Sequence, residues 1–446
     1  MSSKPLLRKP SEGPVSHFRK RLIVLCDGTG QDSTANDHTQ YPTNVTRFGR
    51  AISPWTTVTT KNKITDKEEE EQVEQIVYYQ KGVGTNSWLD KRATGAGVAA
   101  NVRAAYGFLA HNYDPGDEIY FFGYSRGAYT ARAIAGMVTK AGLLKKRGMD
   151  AFTKVYEAYH KLRLSGSKED TSDEDTSEED DSTTLKVDGV KEDWYHDPDS
   201  VKAAVRIVGV WDTVEFHKPA VGKFFGYGGE DVEFENKKLS RQIPFGFHAL
   251  ALDERRKAYS PTLWKVSKHG TQTIKQVWFS GRHSDVGGGV SNPRLSDIPL
   301  AWMIGECEKT GYLGFDRSYC VAGNPPQPIQ WGTSLGSTDE NEKNGWFYWT
   351  HHLTDIVTLR DREPLSEKWT TNEQIHASIA HRKFGKNEDP GAKDAKPYEC
   401  KLLTGENPES QGWLLHRDPQ KGLLEAELNK VEKDYKGRIR KADEDD

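Results

Sequence analysis

The sequence predicts an α/β fold in which helices cover both faces of a doubly wound, mostly parallel sheet. Two observations support this prediction. Several short runs rich in Val, Ile and aromatic residues are almost continuously apolar, which is typical of strands buried on both faces of a parallel sheet. Segments with a helical spacing of apolar residues separate these runs along the chain.

The predicted elements alternate along the chain. We expect strands at Arg21–Asp27, Gln75–Gln80, Glu118–Gly123, Val205–Asp212 and Lys275–Ser280, each close to Gly, Ser or Asp residues that favour turns. We expect helices at Gly97–Tyr113, Ala128–Leu144 and Arg241–Tyr259, the last of which ends in a run of charged residues.

The composition narrows the class of protein. A formal net charge of -4 argues against a nucleic-acid partner, because such proteins bind phosphates through dense basic patches. The four cysteines are scattered, so we expect neither a disulfide framework nor a structural zinc site. Residues 1–20 lack the apolar stretch of a signal peptide. The sequence also contains no apolar run of about eighteen residues, the length that a membrane-spanning helix needs. We therefore expect an intracellular, cytoplasmic protein.

A candidate nucleophile lies directly after the third predicted strand. The segment Gly123–Gly127 matches the pattern Gly-x-Ser-x-Gly, and a predicted helix follows from Ala128. Strand, tight turn and helix together are typical of the nucleophile elbow of α/β-hydrolases. The start of the helix directs backbone N–H groups towards an oxyanion. We predict Ser125 as the nucleophile and the N–H group of Arg126 as one oxyanion donor.

A serine hydroxyl needs a histidine base and a carboxylate that orients the base. Among 14 histidines we predict His283, because it follows a late strand and precedes a glycine run. His351 and His352 remain rivals for this role. Asp212 ends a predicted strand and is the expected acid, and Asp285 remains the alternative.

A second glycine-rich loop, Cys26–Gly30, follows the first predicted strand. It lacks the lysine and the glycine spacing of a phosphate-binding P-loop. We predict that the backbone of Gly28, Thr29 and Gly30 supplies the second oxyanion donor, with an ordinary turn as the alternative.

The domain organisation is predicted as a polar tail at 1–20, one α/β-hydrolase-like catalytic domain at 21–420 and a charged helix or tail at 421–446. Two charged insertions, 61–71 and 165–183, are not expected to join the packed body, because they bury too little apolar area to offset the entropy of ordering. We interpret the second as a disordered loop, with a phosphorylatable regulatory loop as the alternative. Residues 216–244 are aromatic and glycine-rich, which favours either a mobile cap or a packed surface loop.

Five motifs occur in order along the chain: Asp27–Thr29, Gly123–Arg132, Val210–Val214, His248–Glu254 and His283–Gly289. Together they resemble the DUF2235 family, which includes the catalytic domain of a group of bacterial type VI secretion phospholipase effectors. The resemblance extends from about Arg21 to about Arg382. It implies an α/β-hydrolase fold, a Ser-Asp-His triad and, for the effectors, ester cleavage in phospholipids.

We therefore expect a phospholipase-like serine esterase or lipase that cleaves carboxylic esters of a small-molecule or lipid substrate. The prediction includes no cofactor and no metal, allows peripheral contact with a membrane and leaves the oligomeric state open. Two alternatives remain. One is a non-catalytic scaffold or binding protein with a hydrolase fold. The other is a metal-dependent phosphoesterase with Asp27, Asp212, His283 and Asp285 as ligands.

Overall fold

The computed structural model describes residues 19–33, 41–61, 67–83, 95–166, 185–214, 237–267, 270–290, 293–316, 362, 364, 370–376, 378–379 and 424–426. The strands are β1 (Lys20–Cys26), β2 (Trp55–Lys61), β3 (Glu68–Gln80), β4 (Glu118–Tyr124), β5 (Val205–Trp211), β6 (Phe245–Ala251), β7 (Thr273–Phe279), β8 (Glu373–His376) and β9 (Leu424–Ala426). The helices are α1 (Asn44–Ala51), α2 (Gly95–Asn112), α3 (Arg126–Ala141), α4 (Phe152–Gly166), α5 (Pro198–Ala204), α6 (His283–Gly287) and α7 (Arg294–Lys309).

These strands form one sheet in the order β2-β3-β1-β4-β5-β6-β7-β8-β9. Neighbouring strands are parallel, except for the antiparallel pair β2 and β3 at one edge. Since β1, β4, β5, β6 and β7 run in one direction, the loops after their carboxyl ends meet along one edge of the sheet, where α/β proteins bind ligands.

Strand β1 illustrates why these strands are continuously apolar in sequence. Leu22 and Val24 point into one hydrophobic core, and Ile23 and Leu25 point into a second core on the other face. Residues of α2, α3, α4 and α5 cover the first core, and residues of α1, α6 and α7 cover the second. Successive side chains of the strand therefore alternate between two cores rather than between core and solvent. The prediction of a doubly wound, mostly parallel α/β fold is confirmed.

The helix predicted over Arg241–Tyr259 is wrong, because its apolar half forms strand β6. Phe247 and Ala249 pack in the core on one face, and the strand pairs in parallel with β5 and β7. The apolar run of β6 is short, and periodicity alone does not separate a buried strand from a buried helix. Tertiary pairing therefore decides the conformation of this segment.

The prediction that the charged segment 61–71 stays outside the packed body is also partly wrong. Residues Glu68–Glu71 belong to β3, which begins several residues before the parallel strand β1 and there pairs with β2 as a two-stranded ribbon. In this register Lys61 lies opposite Glu68, and Thr59 lies opposite Glu70. Pairing with the Thr-rich β2 gives this acidic run a regular structure without a buried face.

Several predicted segments lie outside the described residues: 1–18, Lys168–Ser182, residues 216–236 of the suggested cap, and His351 with His352. Within 421–446, predicted as a charged helix or tail, the described residues Leu424–Ala426 instead form a strand that pairs in parallel with β8, so the prediction is wrong at that point. None of the helices in the described ranges combines the length and the apolar character that crossing a membrane requires.

Candidate active site

Ser125 lies at the sharp turn between β4 and α3. Its backbone has φ 57° and ψ −127°, a conformation that a residue with a side chain rarely adopts. The N–H group of Ser125 donates a hydrogen bond of 3.0 Å to the carbonyl oxygen of Trp211 at the end of β5. The turn therefore holds the serine in a strained conformation at the edge of the sheet, as a nucleophile elbow requires.

Close backbone contacts explain both glycines of the Gly-x-Ser-x-Gly motif. A Cβ atom on Gly123 would lie 2.5 Å from the carbonyl oxygen of Gly127. A Cβ atom on Gly127 would lie 2.3 Å from the carbonyl oxygens of both Cys26 and Asp27. The elbow thus packs backbone against backbone at the end of β1, and any side chain would separate the two.

His283 is the first residue of α6 and follows β7. Its Nε2 atom lies 2.8 Å from the Oγ atom of Ser125, and its Nδ1 atom lies 2.6 Å from the Oδ2 atom of Asp212. Asp212 directly follows β5, has φ 43° and is fully buried. The structure thus brings the three predicted side chains into one hydrogen-bonded row, although 158 positions separate Ser125 from His283.

Asp285, the alternative acid, lies in the first turn of α6. Its Oδ2 atom accepts a hydrogen bond of 2.8 Å from the N–H group of Arg282, which precedes the helix. The carboxylate therefore caps its own turn. Within the described residues, the Nδ1 atom of His283 is bonded to Asp212, which favours Asp212 over Asp285 as the group that orients the imidazole.

Sequence reasoning did not identify Arg362, which binds the carboxylate of Asp212. One Nη atom lies 2.6 Å from Oδ1 and the other lies 3.0 Å from Oδ2. The N–H group of Ala251 donates a further hydrogen bond of 3.0 Å to Oδ1. Burial alone would raise the pKa of Asp212, but Arg362 and His283 outweigh that effect and hold this pKa well below its usual range. Asp212 is therefore ionised.

The imidazole of His283 is enclosed by aromatic rings. The ring centroids of Tyr124 and Tyr259 each lie 4.8 Å from that of His283. Burial lowers the pKa of His283 below its ordinary value of 6.5, against the opposing effect of Asp212. The imidazole is consequently neutral near pH 7 and able to accept a proton.

A second ion pair, between the buried Glu254 and the half-buried Arg256, supports the same histidine and was also missed. Glu254 accepts a hydrogen bond of 3.3 Å from the backbone N–H group of His283, and Arg256 donates to both of its carboxylate oxygens at 2.8 and 2.6 Å. Burial would raise the pKa of Glu254, but Arg256 lowers it to about 2. The guanidinium of Arg256 lies 3.9 Å from the ring centroid of Tyr259, so the pair also holds one of the enclosing rings.

The predicted oxyanion loop lies beside Ser125, since a Cβ atom on Gly28 would be 3.6 Å from the Cβ atom of Ser125. The N–H group of Gly28 already donates to the Oδ1 atom of Asp27 at 2.7 Å, and that of Gly30 donates to the carbonyl oxygen of Val83 at 3.1 Å. Because the N–H groups of Gly28 and Gly30 already donate elsewhere, the N–H group of Thr29 is the predicted oxyanion donor that remains in this loop. The hydroxyl of Thr29 is buried and has no hydrogen-bond partner among the described residues.

The carboxylate of Asp27 is held by hydrogen bonds from neighbouring residues. It accepts hydrogen bonds from Tyr79 at 2.7 Å, from Thr43 at 2.8 and 2.9 Å and from Thr46 at 3.1 Å, in addition to Gly28. Its oxygens are thereby committed to fixing the loop after β1. Across the described ranges, no group of three or more His, Cys, Asp or Glu side chains is arranged to hold a metal ion.

The fold and the site define an α/β-hydrolase-like domain with a serine, a histidine and an aspartate in one hydrogen-bonded row. The family described as "T6SS, Phospholipase effector Tle1-like, catalytic domain" matches residues 20–306. The chain belongs to this family, whose members are phospholipase-type hydrolase domains.

Two further comparisons give the extent of similarity. An uncharacterised protein of Saccharomyces cerevisiae, YEL023C, is 27% identical over 358 residues, covering 67% of this chain and 48% of the yeast protein. The chain thus spans about half the length of this curated relative. A solved structure of the Tle1 effector bound to the VgrG spike from the Type 6 secretion system is 19% identical, with a TM-score of 0.34, covering 62% of this chain and 52% of that chain.

The close approach of the elbow to β1 predicts the effect of a single methyl group. Gly127→Ala should lower the free energy of unfolding by about 3 kcal/mol, because the new Cβ atom meets two fixed carbonyl oxygens. Gly107→Ala in α2 is the matched control: its Cβ atom would make an ordinary contact of 3.6 Å with Met149, so we expect a gain of about 0.5–1 kcal/mol. Urea unfolding of both variants measures the difference. Equal stability of the two would contradict the packing described for the elbow.

Proposed function

We propose that this protein is a serine hydrolase that cleaves carboxylic esters, in the manner of a lipase or phospholipase. The observation that carries the proposal is the hydrogen-bonded row of Ser125, His283 and Asp212 at a strained strand–turn–helix junction. Membership of a family of phospholipase effector catalytic domains supports a lipid ester as the substrate.

In the proposed reaction, the Oγ atom of Ser125 attacks the ester carbonyl carbon while the Nε2 atom of His283 accepts the hydroxyl proton. The carbon–oxygen bond to the leaving alcohol then breaks, and His283 returns the proton to that alcohol. A water molecule attacks the acyl-enzyme in the second half, again with His283 as base, and releases the acid and the free serine. Asp212 accepts a hydrogen bond from Nδ1–H throughout, which fixes the tautomer and stabilises the imidazolium.

The oxyanion of each tetrahedral intermediate needs hydrogen-bond donors on the side opposite the histidine. We propose the N–H groups of Arg126 and Thr29 for this role. Arg126 is the first residue of α3, where backbone amides point out of the helix. Thr29 lies in the loop beside Ser125, and its buried hydroxyl is available as a third donor.

The serine mechanism is tested by covalent labelling. A fluorophosphonate should label the wild-type protein at Ser125, and Ser125→Ala should abolish labelling and reduce ester hydrolysis by on the order of ten-thousandfold. Ser260→Ala, which removes an exposed hydroxyl bonded to the carbonyl oxygen of Lys257, is the control and should keep both. Activity that persists in Ser125→Ala, or that is lost only on addition of a chelator, would exclude the mechanism.

The two carboxylates near His283 should respond differently to amide substitution. Asp212→Asn removes the charge that orients and stabilises the imidazolium, so kcat should fall by about ten-thousandfold. Asp285→Asn weakens the cap of α6, and should cost about 1 kcal/mol of stability with a much smaller loss of kcat. Kinetics and thermal unfolding of both variants separate the roles. The reverse ranking of kcat would transfer the acid function to Asp285.

The hydroxyl of Thr29 gives a prediction about the oxyanion donors. Thr29→Val retains the backbone N–H group and the shape of the side chain, and should lower kcat by about tenfold to a hundredfold with little change in KM. Thr139→Val is the matched control, because this buried hydroxyl donates to the carbonyl oxygen of Ala135 within α3, remote from Ser125 along the helix. Wild-type kcat in Thr29→Val would remove the hydroxyl from the proposed mechanism.

A further inference from the structure

Arg362 lies beyond residues 20–306, the part of the chain that matches the family, yet it touches the core of the site. The residue is buried, with 7% exposure. Besides Asp212, it donates to the carbonyl oxygen of Ala251 at 2.6 Å and to that of Tyr259. One guanidinium therefore joins the ends of β5 and β6 to the loop that carries the ring against His283.

These bonds leave the carboxylate of Asp212 no freedom to turn. Its Oδ1 atom accepts from Ala251 and Arg362, and its Oδ2 atom accepts from His283 and Arg362. Two parallel bonds from a planar guanidinium fix both the plane and the direction of a carboxylate, which a single ammonium group does not do. The direction of the Oδ2 lone pairs in turn sets the orientation of the imidazole.

The charge of Arg362 has a second effect. Its guanidinium is a cation in contact with both oxygens of Asp212, so it offsets the negative charge of that carboxylate. An imidazolium at His283 is then stabilised less than it would be beside an unpaired carboxylate. Loss of Arg362 should therefore make His283 hold its proton to higher pH.

We propose that Arg362 is a positioning residue for the hydrolysis put forward above: it holds the Asp212 carboxylate rigid and offsets its charge, so that His283 acts as a base at lower pH. The inference rests on the proposed function. It assigns a role in the reaction to a residue from the part of the chain that follows the family match.

Other charged and titratable groups also face Asp212 and His283, and substitution of Arg362 alone leaves these residues in place. They are Tyr124 from β4, His248 from β6, and Glu254, Arg256 and Tyr259 from the loop after β6. A change in pH dependence on substitution of Arg362 therefore reports the guanidinium itself.

The test is the pH profile of kcat/KM on a water-soluble p-nitrophenyl ester, measured for the full chain. In the wild type we expect the rate to rise as His283 loses its proton, with the midpoint below pH 6.5. Arg362→Gln should move this midpoint up by about one unit and lower kcat by about tenfold or more, because both the offsetting charge and the paired bonds are lost. Arg362→Lys should give a smaller shift of the midpoint, since it keeps a cation, and a loss of kcat, since it cannot pair twice.

Arg21→Gln provides a matched control. Arg21 is also buried, with 2% exposure, and its Nε atom lies 3.1 Å from the Oε2 atom of Glu118. Both residues lie at the amino ends of their strands, β1 and β4, away from the carboxyl ends that carry the site. Loss of Arg21 should lower the melting temperature as loss of a buried ion pair does, and leave the midpoint of the pH profile unchanged.

The outcomes are distinct. A wild-type protein without Ser125-dependent hydrolysis contradicts the proposed function. An active wild type, with a folded Arg362→Gln that keeps the wild-type midpoint and kcat, overturns the role of Arg362 alone. If Arg362→Gln does not fold, Arg362→Lys decides in the same way, and failure of both variants to fold assigns Arg362 to stability and overturns the proposal.

Discussion

The contact of the elbow with its two neighbouring strands is the constraint on which the site depends. On one side Gly127 meets the carbonyl oxygens at the end of β1, and on the other the N–H group of Ser125 bonds to the end of β5. Because β4 lies between these strands, the serine is fixed between the loop that carries Thr29 and the residue that follows β5, Asp212. The strain at Ser125 persists because packing on both sides leaves the chain no other path.

The charges around His283 are arranged in pairs of opposite sign. Asp212 is matched by Arg362, and Glu254 by Arg256, with each arginine bonded to both carboxylate oxygens. Taking a charge out of water costs several kcal/mol, and the guanidinium paired with each carboxylate offsets that cost. With both pairs intact, the histidine has two anions and two cations nearby. Their opposing effects leave burial as the dominant influence on its protonation.

Local signals made much of this site predictable. Ser125, Asp212 and His283 each follow an apolar run that forms a strand, and parallel strands bring such positions to one edge. The residues that were missed act over long separations: Arg362 is 150 positions from Asp212 and lies in no recognisable pattern. Strand β6 was mistaken for a helix because the identity of a strand's neighbours is not encoded in its own periodicity. The charged run after it continued the apparent helix, whereas Glu254 and Arg256 are paired beneath His283.

Strand β6 also explains the one motif, His248–Glu254, for which the sequence offered no role. It lies between the strands that precede Asp212 and His283, so its width and register set the distance between acid and base. The hydrogen bonds of His248 fix its tautomer. The Oε1 atom of Gln276 is an acceptor, which already accepts from the N–H group of Trp264, so the Nδ1 atom of His248 beside it must carry the proton and donate. The Nε2 atom then accepts from the N–H group of Thr213, next to Asp212. Burial lowers the pKa of His248 to about 3, which keeps it neutral and preserves that acceptor. A shift of β6 by one residue would turn His248 to the other face and withdraw the Ala251 N–H group from Asp212, so the register of this strand is part of the site.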